Sequence, residues 1–274
     1  MRRSLPLACC LALLWGCGGS SHPQVEPEKM LDSAAAHPIA SARTEIDLRV
    51  QVRGAPRLSG PFHLGLEGGY VSGGQRRIPS FDWRFTASAL GFPVGGKVVS
   101  TGHNAYLSVY GDNYEVGRGP VAAANEWISR MDESDEPLDL RARHWFGRAR
   151  VEGEGQEGGV DCERIVAPLR AAALAGDITS LASALGLSSP ASLRGTVRGC
   201  VGFDDRVFHE LDVDAEVGIP AADRQRLGGT TSAHVDLEIV NSEVGEQQQI
   251  SIPAGGGYRP IRDLFLTLND LGVP

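Results

Sequence analysis

The sequence predicts a mainly β fold of the α+β type: a single curved antiparallel sheet, a half-barrel of about ten strands, with a few helices covering its concave apolar face. Two observations carry this. Apolar residues recur with period two through most of the chain, and the connections between such runs are short and turn-like, as antiparallel pairing requires. Helical periodicity is confined to a few stretches, too few to sandwich a sheet on both sides.

Taken in order, Ile46, Leu48, Val50 and Val52 alternate with Asp47, Arg49, Gln51 and Arg53, which makes a half-buried strand. The pattern returns in Phe62/Leu64/Leu66, in Trp83/Phe85/Ala87/Ala89, from Val94 to Thr101, from Ala105 to Tyr110 and from Tyr114 to Val116. Later, Leu193 to Val201 and Arg206 to Val217 read as a hairpin turned at Asp204-Asp205, followed by strands at Ala233/Val235/Leu237/Ile239 and Gln249 to Ile252. Helices are expected from Pro120 to Met131, from Ile165 to Ala175, from Ile178 to Leu185 with Asp177 as N-cap, and from Arg262 to Leu271.

With 274 residues, 42% apolar and 22% charged, and with 35 Gly and 16 Pro, the composition excludes a collagen, a coiled coil, a polar disordered chain and a polytopic membrane protein. Net charge is −8, so nucleic acid is not an expected partner.

The N-terminus reads as an export signal. Arg2-Arg3 precede an apolar run from Leu5 to Trp15, too short to span a bilayer and suited to a signal-peptide core. Leu14-Trp15-Gly16-Cys17 then resembles a bacterial lipobox, in which the cysteine is lipidated and becomes the first residue after cleavage. The alternative is an ordinary secretory signal cut near Gly19 or Ser20. The division that follows is a lipoprotein signal peptide over 1–16, a lipidated flexible tether over 17–42 with about one helical turn around Met30 to Ala36, and a folded body over 43–274. Two acyl chains on Cys17 would make anchoring stable where one is marginal.

Cys9 and Cys10 fall in the leader, leaving Cys162 and Cys200 in the body. In an oxidising compartment the pair points to a disulfide; two buried free thiols and a catalytic cysteine are the other readings. Neither cysteine has a Cys or His at metal spacing, so no metal site is expected.

Motifs with a catalytic look resolve into plainer readings. Gly153-Glu154-Gly155-Gln156-Glu157-Gly158 spells G-x-G-x-x-G, but its glutamates would repel a pyrophosphate and a strand-like run follows, so it reads as a turn. Asp132, Glu133, Asp135 and Glu136 lack the order of a calcium loop. Asp212, Asp214 and Glu216 alternate with Val213, Ala215 and Val217, which describes a strand's wet face. The seven histidines form no H-x-x-x-H pair, and no G-x-S-x-G occurs. Nothing here proposes an enzyme, a catalytic residue or a cofactor.

Several junctions resemble a known family. Ser100-Thr101-Gly102-His103-Asn104-Ala105-Tyr106-Leu107 with Tyr114-Glu115-Val116, then Trp145, Gly155 to Asp161 and Asp177 to Leu185, and finally Ile252-Pro253 with Pro260-Ile261-Arg262-Asp263-Leu264, resemble the LppX/LprG-type cell-envelope lipoproteins of the LolA/LolB-like superfamily. The resemblance spans roughly Ala42 to Pro274. It implies a half-barrel whose hollow holds lipid acyl chains or an acylated lipoprotein, carried within the cell envelope by a protein anchored through Cys17 to the cytoplasmic or outer membrane, most simply as a monomer. On that reading the cavity lining falls to Leu48, Val50, Phe62, Leu64, Trp83, Phe85 and Leu107. The rival reading is a non-catalytic envelope scaffold with a filled core, in which the same residues simply pack beneath the helices.

Overall fold

The alternation around Ile46 builds strand β1 (Ser41–Arg53), with Arg43, Glu45, Arg49, Gln51 and Arg53 exposed on one face and Ala42, Thr44, Ile46, Leu48, Val50 and Val52 turned inward on the other. In the computed structural model, which describes residues 26–55, 60–74, 77–89, 92–129, 142–175, 188–255 and 257–264, β1 is the centre of one sheet. The other strands are β2 (Phe62–Val71), β3 (Ser80–Ala89), β4 (Phe92–Thr101), β5 (Ala105–Val109), β6 (Asp112–Glu115), β7 (Arg150–Glu157), β8 (Val160–Pro168), β9 (Ser192–Gly202), β10 (Phe208–Gly218), β11 (Ser232–Ser242) and β12 (Arg259–Pro260). The twelve run in the order β12-β6-β5-β4-β3-β2-β1-β11-β10-β9-β8-β7, open at both ends. Every neighbouring pair is antiparallel except β12 with β6. The expected mainly β, curved antiparallel sheet is what forms.

Register aligns the apolar positions into rows across the concave face. One row runs Ala167, Val197, Val213, Leu237, Leu48, Leu64, Ala87, Val94. The next runs Ile165, Gly199, Leu211, Ile239, Ile46, Leu66, Phe85, Gly96. Helix α1 (Pro27–Ala36), a short α3 (Ala142–Trp145) and helical residues 171–175 cover the β8–β11 end of these rows, while α2 (Arg118–Ser129) belongs to the other half. Met30, Leu31, Trp145, Phe146 and Leu174 pack there with Ile165, Val197, Leu211, Val213 and Ile239 as one buried cluster. α2 is pinned by Asn125, whose side-chain oxygen accepts from Ile78 N–H (2.7 Å) and whose amide donates to Gly102 C=O (2.9 Å).

The stretch expected to hold about one helical turn in a tether is therefore a ten-residue helix with Met30 and Leu31 fully buried. Pro27 opens it, and Arg143 clamps it by donating to Glu28 (2.7 Å) and Asp32 (2.6 Å).

Three local expectations change. Residues 165–168 are strand, not helix: Ile165, Val166 and Ala167 are all buried, so both faces are covered and the alternation that marks a half-wet strand is lost. The G-x-G-x-x-G stretch lies mostly within edge strand β7, and the turn is Gly158-Gly159, both at positive φ. Gln249 to Ile252 is not a strand but part of a strap across the convex face of β2–β6. Ser251 N–H donates to Asp82 (3.0 Å), Lys97 donates to Ser251 C=O (3.2 Å), Asn113 donates to Ala254 C=O (3.2 Å), and a side chain at Gly69 would meet Gln248 at 3.3 Å. The C-terminal helix is seen over residues 261–264, and the remainder of that expectation, like Asp177 and Ile178 to Leu185, lies outside the described residues.

Cys162 and Cys200 form a disulfide between neighbouring strands β8 and β9, Cα atoms 5.5 Å apart. Its sequence separation of 38 corresponds to about 4 kcal/mol of stabilisation in the chain-entropy account. Close by, Glu163 is 7% exposed, opposite Glu154 on β7 and Val201 on β9. Burial first, and then the Glu154 charge, push its carboxyl above the usual 4.5, against the pull of Arg206. A carboxyl whose folded pKa exceeds its unfolded one favours the fold when protonated, and that contribution is lost as pH rises through the folded value. Glu163→Gln should thus raise the urea midpoint at pH 7, leave it little changed at pH 4, and flatten the wild-type decline between them. Matched urea titrations at the two pH values check this, and an equal effect at both would contradict it.

Candidate functional site

The two halves of the concave face are filled differently. Over β8–β11 the helices supply Met30, Leu31 and Trp145, and Phe146 follows α3, all nearly or fully buried. Around Leu48, Val50, Phe62 and Leu64 the inward side chains stay half-buried, and they line an open pocket of about 410 Å³. Leu48 and Val50 from β1, Phe62 and Leu64 from β2, Ala87 from β3 and Val94 from β4 form most of its wall. That size lies in the range of roughly 300–1,000 Å³ over which proteins hold small ligands.

Sequence explains both the place and the space. On β3 the inward series runs Phe81, Trp83, Phe85, Ala87, Ala89, bulky at one end of the strand and small at the other. Register sets Ala87 opposite Leu64 and Val94, so the row has two long side chains and then a small one where a third would close the gap. Phe85 leans the other way: a side chain at Gly96 would meet its ring at 2.6 Å. Trp83 stacks on Phe81, ring centroids 4.4 Å apart, and its buried indole Nε1 has no hydrogen-bond partner among the described residues.

Of the seven residues proposed from sequence as lining, the structure brings together Leu48, Val50, Phe62 and Leu64 around the cavity. Trp83, Phe85 and Leu107 share the apolar face, Leu107 opposite Val98 and Tyr114, but lie outside this lining. Ala87, Ala89 and Val94 belong to the wall and were missed. Their signal was smallness at an inward position, which a search for large apolar residues passes over. Cys17 lies outside the described residues.

Polar groups approach the cavity only at its edge, in His63 and Ser88. His63 Nε2 lies 2.8 Å from Asp47 Oδ2, an ion-pair contact on the wet face. A smaller cavity of about 140 Å³ sits on that face, where Gly65 leaves a gap between Asp47, Glu67, Arg84 and Thr86. It is a dimple made by a missing side chain, rimmed mostly by charged and polar residues with Ile46 and Leu66 between them.

A wall with empty space on one side loses fewer contacts on truncation than a packed core residue. Leu64→Ala should therefore cost about 2 kcal/mol, and Ile165→Ala, inside the packed cluster, about 4 kcal/mol. Denaturant unfolding of the two variants checks the difference; equal costs would mean the β1–β4 half is as tightly filled as the other.

No family model matches the sequence, and no curated protein matches it. Solved structures do. LprF from Mycobacterium bovis is 13% identical with a TM-score of 0.51, over 83% of this chain and 97% of that one. The lipoprotein LppX of Mycobacterium tuberculosis is 9% identical with a TM-score of 0.44, over 82% and 97%. A LolA superfamily protein from Nitrosomonas europaea is 8% identical with a TM-score of 0.24, over 84% and 96%. At these identities the likeness is one of architecture: the open sheet with helices in its hollow is an LprF-like fold.

Proposed function

We propose that the chain is a bacterial envelope lipoprotein that binds lipid acyl chains, or the acylated end of a lipoprotein, in the β1–β4 cavity and carries them within the envelope without catalysing a reaction. The observation that supports it is the apolar cavity of about 410 Å³ beside a fully packed half-core in the same sheet. A methylene is about as large as a water molecule's roughly 30 Å³ share of the liquid, so the space suits on the order of a dozen methylenes. Each one withdrawn from water contributes about 0.8 kcal/mol, so a chain of that length gains on the order of 10 kcal/mol. The pocket is open on one side, so a chain lying in it gains the full amount only where its outer flank is covered as well. The LprF-like fold supports the same reading. In it, Cys17 carries the lipid anchor, the residues between Cys17 and α1 form the tether, and the body works as a monomer at the membrane surface.

The test of the cavity turns on volume. Val50 sits mid-strand in the wall, between Phe62 and Val235. Val50→Trp should occupy the hollow, lowering the lipid recovered from the natively purified protein by mass spectrometry while shifting the melting temperature by only a few degrees. In a filled core the same change overpacks and costs about 1–3 kcal/mol. A large fall in melting temperature, with recovered lipid unchanged or never present, would point instead to the scaffold with a filled core.

The anchor is tested separately. Cys17→Ser should move the protein from the membrane to the soluble envelope fraction or leave an uncleaved precursor, as judged by fractionation and immunoblot. A mature, membrane-bound mutant would remove the lipobox from the account.

A further inference from the structure

Charge is divided along the sheet. The pocket residues Phe62 and Ala89 stand at the end of the strands where β2 begins and β3 finishes. At that same end the described connections carry Arg148, Arg170, Arg224 and Arg226, all exposed. The acid in those described connections, Asp223, is 5% exposed and accepts from Ser188 N–H at 3.0 Å. Arg150 and Arg194 extend the basic group from the starts of β7 and β9. The exposed acids nearby are already engaged, Asp112 with Arg259 (3.4 Å) and Glu152 with Arg150 (3.9 Å). At the opposite end the described connections are acidic: exposed Asp204, Asp205, Glu243 and Glu246 stand against Arg77 and Arg206.

Two further features mark the basic end. The β5–β6 turn lies there, following the Val109–Gly96 pair, two residues along β4 from the pocket residue Val94. Its tip is Tyr110, 74% exposed and held at φ 53°, a conformation that glycine, asparagine or aspartate fills at less cost. A ring presented to solvent in this way has the amphipathic character of residues that settle at the headgroup level of a bilayer. The chain from the proposed anchor also arrives at this end. Glu28 in the first turn of α1 accepts from the N–H of Ala149, the residue before β7 (3.1 Å). Only residues 18–26 separate Cys17 from α1, a reach of about 30 Å at full extension.

We infer that the pocket end of the sheet docks on an anionic lipid bilayer, with the arginines on the phosphate headgroups and Tyr110 at their level. The purpose of such docking rests on the carrier reading above: it sets the pocket beside the lipid that fills it or receives its contents. The net charge of −8 does not forbid this. β1 is 13 residues long, so the two ends lie about 40 Å apart, several times the Debye length of about 8 Å at physiological salt. The surface therefore acts on the arginines while the acids of the far end are screened from it. The same division of charge turns the basic end toward the bilayer as the protein approaches.

The test is sedimentation of residues 17–274, which include every described residue, carrying Cys17→Ser so that no anchor holds the protein to lipid. The vesicles are phosphatidylcholine alone or mixed in equal parts with phosphatidylglycerol. Binding should require phosphatidylglycerol and fall steeply with added salt, a readout that needs no variant to fold. Arg224→Gln with Arg226→Gln should lower partitioning on the order of thirtyfold, at about fivefold for each charge. Arg77→Gln with Arg118→Gln makes the same change in net charge at the other end and should leave binding as it was. Tyr110→Asn introduces a residue that accepts positive φ and should weaken binding several-fold without lowering the melting temperature. Equal binding to both vesicles, or equal loss from both arginine pairs, would overturn the docking, the former in favour of an acidic protein partner. Lipid recovered from the purified protein reads the carrier function independently. Recovered lipid without vesicle binding removes the docking and leaves the carrier, and vesicle binding without recovered lipid does the reverse.

Discussion

The structure depends on the pairing of β1 with β11. Eleven residue pairs, from Arg43 with Ser242 to Arg53 with Ser232, join a half-sheet built from the start of the chain to one built from its end. β1 then pairs on its other side with β2, so each inward side chain of β1 is shared between the halves. Ile46 leans on the packed cluster while Leu48 and Val50, one and two steps further along, wall the cavity. A slip of one residue would turn Arg49 and Gln51 into the core and Leu48 and Val50 into water, a change no local contact could offset. On the opposite face Arg43 pairs with Glu67, and Arg53 with Glu216, so charge and hydrophobic pattern specify the same register.

That register also explains how one sheet is packed in two ways. The same rows cross both halves, so what differs is the size of the residues at their ends and what lies over them. Over β8–β11, α1 delivers Met30 and Leu31, held in place by Arg143. Over β1–β4 the row ends in Ala87 and Val94. The interior is thus filled where the helices dock and spacious where the strand residues shrink.

Much of the fold was legible because a half-wet strand writes its burial into alternate residues; β1, β3, β10 and β11 could be read from sequence on that ground. The misreadings share a cause. Where burial is two-sided, as at Ile165-Val166-Ala167, the alternation disappears and an apolar run looks helical. Where backbone hydrogen bonds go to side chains, as at Ser251 with Asp82, β-like composition does not make a strand. Edge strand β7 hid behind its glycines and glutamates, the residues that discourage a further strand from joining it. Leu48, Val50, Phe62 and Leu64 could be placed at the cavity from alternation alone, but Trp83 and Phe85 could not be separated from them without knowing where β3 tapers.

The central position of β1 has a consequence for how the protein comes into being. Its left-hand neighbour, β2, follows at once in the chain, but its right-hand neighbour, β11, is synthesised only after some two-thirds of the chain has followed. Until then β1 keeps one ladder of N–H and C=O groups open, flanked by Ile46, Leu48 and Val50, the kind of edge that pairs with other chains. Contacts between residues so far apart in sequence close slowly. A nascent chain stopped before Ser232 is therefore an aggregation hazard rather than a smaller version of the protein, and the sheet's middle is among the last parts of the molecule to be completed.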